Sequence, residues 1–155
     1  MKYTIHLSNN QRQIEVDEAF VCETIEAVLK AEQIPRAEIV VALVDDPTIH
    51  QVNRDHLQHD YPTDVISFRY DDSEFEETSS ESQQLDGELV VSTDTAHREA
   101  AEFGWDPKHE LRLYLIHGTL HLCGYEDSTD EEKQQMRGRE TAVLKNWNLI
   151  PNYAT

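Results

Sequence analysis

Cysteine, glycine and positive charge are all scarce in this chain. Only Cys22 and Cys123 are present among 155 residues. They form no CxxC pattern, which excludes a cysteine-built zinc site and suits a reducing compartment. Both read as small buried residues, with Cys123 kept as an outside candidate for a metal ligand. No apolar run approaches the ~20 residues of a membrane span. The opening "MKYTIHLSNNQ" has neither the apolar core nor the cleavage site of a signal peptide, so a cytoplasmic protein without a membrane partner is expected. Lys and Arg number 13 against 31 Asp and Glu, a formal net charge of −18. Such a charge repels polyanions and argues against a nucleic-acid partner, which is ordinarily held by a basic patch. It suits a basic protein or a cation.

Apolar residues at 38% and charged residues at 28% mark a soluble globular chain, and its length suits one domain over 1–155. The patterning predicts strands at "YTIHL" (3–7) and "RQIEV" (12–16) around the turn "SNNQ". A helix follows from its N-cap Asp17, with Val21, Ile25 and Leu29 beside Phe20, Thr24 and Val28 as its apolar stripe. "EIVVALV" (38–44) reads as a central strand, and "DDPTIHQVNRDHL" as a helix with Asp46 as N-cap and Pro47 at its first position. Further strands are expected in "PTDVISFRY" (62–70) and "GELVVS" (87–92). Between them Asp71–Asp86 is acidic without Lys or Arg, which predicts a solvated, mobile loop that could meet a basic partner. The last third reads as three helices. "STDTAHREAAEFG" closes on Gly104, "DPKHELRLYLIHGTLHLCG" is capped by Asp106 and stopped by Gly124, and the third opens on a Thr129–Glu132 capping box. The fold class is therefore α+β, a small mixed sheet packed with helices.

The chemistry concentrates in "HGTLHLCGYED" (117–127). His117 and His121 are four apart, so they share a helix face. Gly124 can turn the chain back, and Asp127 can arrive as a third ligand. Two imidazoles and a carboxylate leave a position open for water, the layout of a catalytic metal site. Two histidines alone could form a polar helix edge. Here they sit among Leu113, Leu115, Ile116, Leu120 and Leu122, where buried polar groups need partners. A peptidase of the HExxH kind has Glu after its first His. This chain has Gly118 there, which sets the peptidase reading aside.

The same stretch resembles the signature of the YbeY family of bacterial rRNA-maturation endoribonucleases, H-G-x-L-H-L-x-G-Y-D-H. "VNRDHLQHDYPTDVISF" (52–68) is similar to that family's L-N-x-x-Y-R…P-T-D-V-L-S-F, and "DGELVVS" (86–92) to its G-D-I segment. Glu110 precedes the histidines as the family's Glu does. The resemblance implies a zincin-like metal-binding helix and one divalent metal, zinc, held by His117, His121 and Asp127. It also implies single-strand-specific endoribonuclease activity in 16S rRNA 3′-end maturation and ribosome quality control. The implied partners are rRNA and the small ribosomal subunit, with basic ribosomal proteins a further possibility for the acidic surface.

Two departures from the pattern stand out. The family's third His is Asp127 here, with Glu126 beside it as a competing ligand. The family's Y-R is His56-Leu57, so the arginine thought to stabilise phosphate charge is missing. Arg54 and Arg69 are candidates to replace it, and Glu88, in the G-D-I segment, is a further candidate. A non-catalytic assembly factor with a structural metal, or a metallohydrolase acting on another substrate, are the competing functions. Thr63, Asp64 and Ser67 read as turn and strand-entry residues, His97 and His109 as surface positions, and Trp105 and Trp147 as core.

Overall fold

A computed structural model of the chain describes residues 1–57, 63–70 and 84–151. Four strands form one sheet: β1 (Lys2–Asn9), β2 (Arg36–Val44), β3 (Val65–Arg69) and β4 (Leu85–Ser92), in the order β1-β2-β4-β3. β1, β2 and β4 run parallel and β3 pairs antiparallel with β4. The described residues also form five helices: α1 (Glu18–Ala31), α2 (Asp46–Leu57), α3 (Thr93–Phe103), α4 (Pro107–Leu122) and α5 (Asp130–Leu144). A short 3₁₀ turn, Lys145–Trp147, follows. The sheet is mixed and the class is the one expected. No helix among the described residues is long and apolar enough to cross a membrane.

Strand alternation assigns the two sheet faces. Ile39, Val41 and Leu43 of β2 and Leu85, Leu89 and Val91 of β4 point to one face, where they join α1 and α4 in the main core. Val44, Ile66 and Val90 point to the other face and meet Ile49 of α2. A further cluster joins Ile116 and Leu120 of α4 to Met136, Val143 and Leu144 of α5. Helix α4 is therefore buried on nearly every side, from Glu110 to Leu122, and shows no single apolar stripe. Two glycines let it lie close to the sheet. A Cβ on Gly118 would stand 2.9 Å from Val65 Cγ2, and one on Gly87 would stand 2.8 Å from Leu122 Cδ2.

Three local expectations are corrected. "RQIEV" is not a strand, and β1 pairs in parallel with β2 across α1, so there is no hairpin. Gln11 folds that segment by bonding both backbone groups of Ile14, which buries the isoleucine in the main core. The cap of α2 is Asp45, whose Oδ1 accepts from Thr48 N at 2.9 Å. Asp46, expected there, instead accepts from Ser92 Oγ, Thr95 Oγ1 and Arg98 Nη1, tying the start of α2 to the start of α3. Finally, β4 begins at Leu85 rather than Gly87. The rest of the acidic segment, 71–83, lies outside the described residues.

Asp46 carries a pH prediction. Burial pushes its carboxyl up, but the hydrogen bonds from Ser92, Thr95 and Arg98 outweigh that and hold it below the ordinary range. A carboxyl depressed in the folded state adds stability above its unfolded pKa and loses it as pH falls through the folded one. Asp46→Asn should therefore flatten the acid limb of the stability curve. Urea denaturation at a series of pH values between about 6 and 3 checks this, with the wild-type advantage shrinking toward the acid end.

Candidate metal centre

Helix α4 begins with Asp106 accepting from Lys108 N and with Pro107 in its first turn. It ends at Gly124, whose φ of 107° is open to glycine and strained for other residues. Gly124 N donates to His121 O and Tyr125 N to Leu120 O, the paired bonds of a Schellman stop. That stop reverses the chain and carries Asp127 back over the histidines. His117 Nε2 and His121 Nε2 lie 3.1 Å apart. Asp127 Oδ2 stands 3.4 Å from the first and 3.5 Å from the second. Among the described residues these three form the group able to surround a metal ion.

The outer nitrogens explain the aim. His121 Nδ1 is 2.9 Å from the Tyr125 carbonyl oxygen. A carbonyl only accepts, so Nδ1 carries the proton and Nε2 keeps its lone pair. His117 Nδ1 meets the Glu140 carboxylate at 2.5 Å, which selects the same tautomer. Two lone pairs and a carboxylate oxygen thus converge without a hydrogen between them. Such a donor set fits a cation. Burial pulls the His117 imidazole down, yet Glu140, with Asp64 and Asp127 behind it, holds its pKa above the ordinary value. The negative field at this point therefore favours positive charge. A second clamp holds the loop: Tyr125 Oη and Arg139 both bond the carboxylate of Glu32, at 2.6 Å from Tyr125 and from Arg139 Nη2.

A cleft of about 540 Å³ opens beside His117 and Asp127. Asp64, Glu110, Arg98, Lys133 and Arg137 all line it. Asp64 also takes the expected strand-entry role, accepting from Val65 N. Burial pushes the Glu110 carboxyl up, partly offset by hydrogen bonds from Trp105 Nε1 and Tyr114.

The other sequence candidates lie elsewhere. Glu126 is exposed and outside the group. Arg54 is exposed on α2 and donates to Gln51. Arg69 donates to Leu122 O at the end of α4. Glu88 sits on the sheet face opposite α4 and accepts from Tyr70 Oη. Leu57 is 43% exposed. Cys123 packs into the core, and burial pushes its thiol up to about 12, so it remains protonated. Arg112, close to the motif in sequence, is buried between the Phe20 and Trp147 rings and paired with Glu23. Sequence reasoning missed Arg98, Lys133, Glu140 and the Glu32–Arg139 clamp. Arg137 and Arg139 stand out in the sequence as basic residues near the motif, but their spatial partners do not.

A buried helix offering two histidines, a carboxylate returned by a glycine stop and a cleft alongside make an arrangement of the kind that single-metal hydrolases use. The family model described as Endoribonuclease YbeY matches residues 6–148, and the chain belongs to that family. A relative of the same name from Rhodopirellula baltica is 43% identical over 121 residues, covering 77% of this chain and 58% of that protein. One from Bacillus cereus is 37% identical, covering 87% of this chain and 91% of its own length. One from Pelotomaculum thermopropionicum is 37% identical, covering 92% and 96%. The solution structure of a Thermotoga maritima protein aligns with a TM-score of 0.59 at 26% identity, covering 93% of this chain and 91% of that one.

Proposed function

We propose that this chain is a metal-dependent endoribonuclease that cuts single-stranded RNA in the maturation of small-subunit rRNA. The convergence of His117 Nε2, His121 Nε2 and Asp127 Oδ2 carries the reading. These three residues would hold one divalent cation, Zn2+ in our reading. Bound there, the cation supplies Lewis acidity to a phosphodiester and to water. The chain's own groups do the rest. Glu140 and the Tyr125 carbonyl hold the two imidazoles in the tautomer that presents Nε2. Five carboxylates line the cleft among the described residues, and Arg98, Lys133 and Arg137 are the cations that stand with them. These cations are our candidates to meet backbone phosphates, in place of the residue at Leu57. The acidic exterior suits basic ribosomal proteins, and the cytoplasm is the matching compartment.

The test is metal removal. Protein stripped with a chelator and reloaded with Zn2+ is incubated with labelled single-stranded rRNA fragments. Cutting should vanish on stripping and return on reloading. Tight Zn2+ retention without any cutting would instead favour an assembly factor with a structural metal. The acidic exterior and Leu57 would then be its signature.

A further inference from the structure

Glu140 is a carboxylate where a carboxylate is costly. It is 3% exposed, on a helix whose neighbouring residues Met136, Val143 and Leu144 build an apolar cluster. Burying such a group costs several kcal/mol unless it is paired. Its Oε2 lies 2.5 Å from His117 Nδ1, across 23 residues of sequence. The two histidines are therefore backed unequally: His121 by a neutral main-chain oxygen, His117 by an anion.

We propose that Glu140 is a positioning residue for the metal centre, acting from a helix outside the ligand set. Its carboxylate accepts the Nδ1 proton of His117, which fixes the ring's orientation and tautomer and leaves Nε2 directed at the ion. An anionic acceptor also makes the imidazole a stronger donor to a metal. Charge supports the assignment. Asp127 and Glu140, with Asp64 behind them, make the surroundings of His117 anionic, which suits a cation in a partly buried setting. The proposal rests on the reading of His117, His121 and Asp127 as ligands.

The experiment uses the full chain, metal-free, as wild type, Glu140→Gln and His117→Ala. Zn2+ affinity is measured by competition with a chromophoric chelator, the thermal midpoint of each metal-free protein is recorded, and the His117 ring nitrogens are read by 15N NMR. Glu140→Gln keeps size and an acceptor oxygen but removes the charge. It should weaken Zn2+ binding by about 10–100-fold, the range for an outer partner of a ligating histidine. The metal-free midpoint should move little, and the His117 ring should show a mixture of tautomers. Glu140→Met, of similar volume, takes its place if the Gln protein does not fold, with the same expectation. A variant that binds Zn2+ as tightly as wild type overturns the proposal, even if its midpoint falls, because that is the mark of a purely structural residue. A wild type that holds Zn2+ no better than His117→Ala overturns the ligand reading, and this proposal with it.

Discussion

His121→Ala should yield a folded protein that neither retains Zn2+ nor cuts RNA. The substitution removes one of three converging donors and leaves His117 and Asp127 with too few contacts to hold an ion against a chelator. The loss in affinity should exceed the roughly 100-fold upper range seen when only an outer partner is removed. Folding should survive. The His121 side chain is 24% exposed, and its one protein bond outside the donor set is to the Tyr125 carbonyl. Losing a single such bond costs about 0.5–1.5 kcal/mol. Metal content after dialysis and cleavage of labelled single-stranded RNA are the two readouts, with circular dichroism as the folding control. Cutting at the wild-type rate by a metal-free His121→Ala protein would remove these residues from the reaction. The variant's weak point is informative as well, since the stop after α4 is secured by main-chain bonds and needs no histidine.

The second large effect falls on stability. Gly118→Glu would write the peptidase pattern HExxH into the chain, and the outcome should be a damaged fold rather than a new activity. The side chain at this position points at the sheet. Its Cβ would stand 2.9 Å from Val65 Cγ2, 3.0 Å from Leu89 Cδ2 and 3.2 Å from Ser67 Oγ. Ser67 Oγ already donates to Gly118 O at 3.0 Å, which draws helix and strand together. For Gly118→Ala, a crowding cost of about 1–3 kcal/mol is opposed by the ~1 kcal/mol that Ala gains over Gly in a helix, so the net destabilisation is about 0–2 kcal/mol. A Glu adds a carboxylate with no partner in an apolar layer. A buried, uncompensated charge costs about 3–5 kcal/mol, which lowers the thermal midpoint by roughly 6–20 °C in a domain of this size. Thermal melts of the two variants check this. Equal midpoints for Gly118→Glu and wild type would mean that the helix can lift off the sheet.

What could be read from residue order divides along physical lines. Helix caps and the histidine pair were legible because they depend on neighbours within four residues. Asp17, Asp106 and the Thr129–Glu132 box all cap as expected. The pairing of β1 was not legible. An alternating "RQIEV" looks like a strand whether it pairs or not, and the outcome depends on the burial of Ile14 in the main core, which the local bonds from Gln11 accompany. Adjacent Asp45 and Asp46 could each cap α2, and the choice was made by α3, far along the chain. The candidate site shows the same limit. His117, His121 and Asp127 lie within eleven residues and show a recognisable spacing. Glu140 reads in sequence as one more acidic residue of a surface helix. Its burial, and the reach of Arg139 to Glu32, arise only when α5 packs across α4 and α1.

That packing has a consequence in time. The chain is made from its N-terminus, and Asp127 precedes Glu140 by 13 residues. At about 5–20 residues per second, the three donors exist for roughly one to three seconds before Glu140, the group that orients His117. An ion arriving in that interval would meet a His117 imidazole without its carboxylate partner and a loop that Arg139 has yet to secure. With His117, His121 and Asp127 as ligands, final selection of the ion would belong to the chain with α5 in place, and that helix would set the moment at which the centre matures.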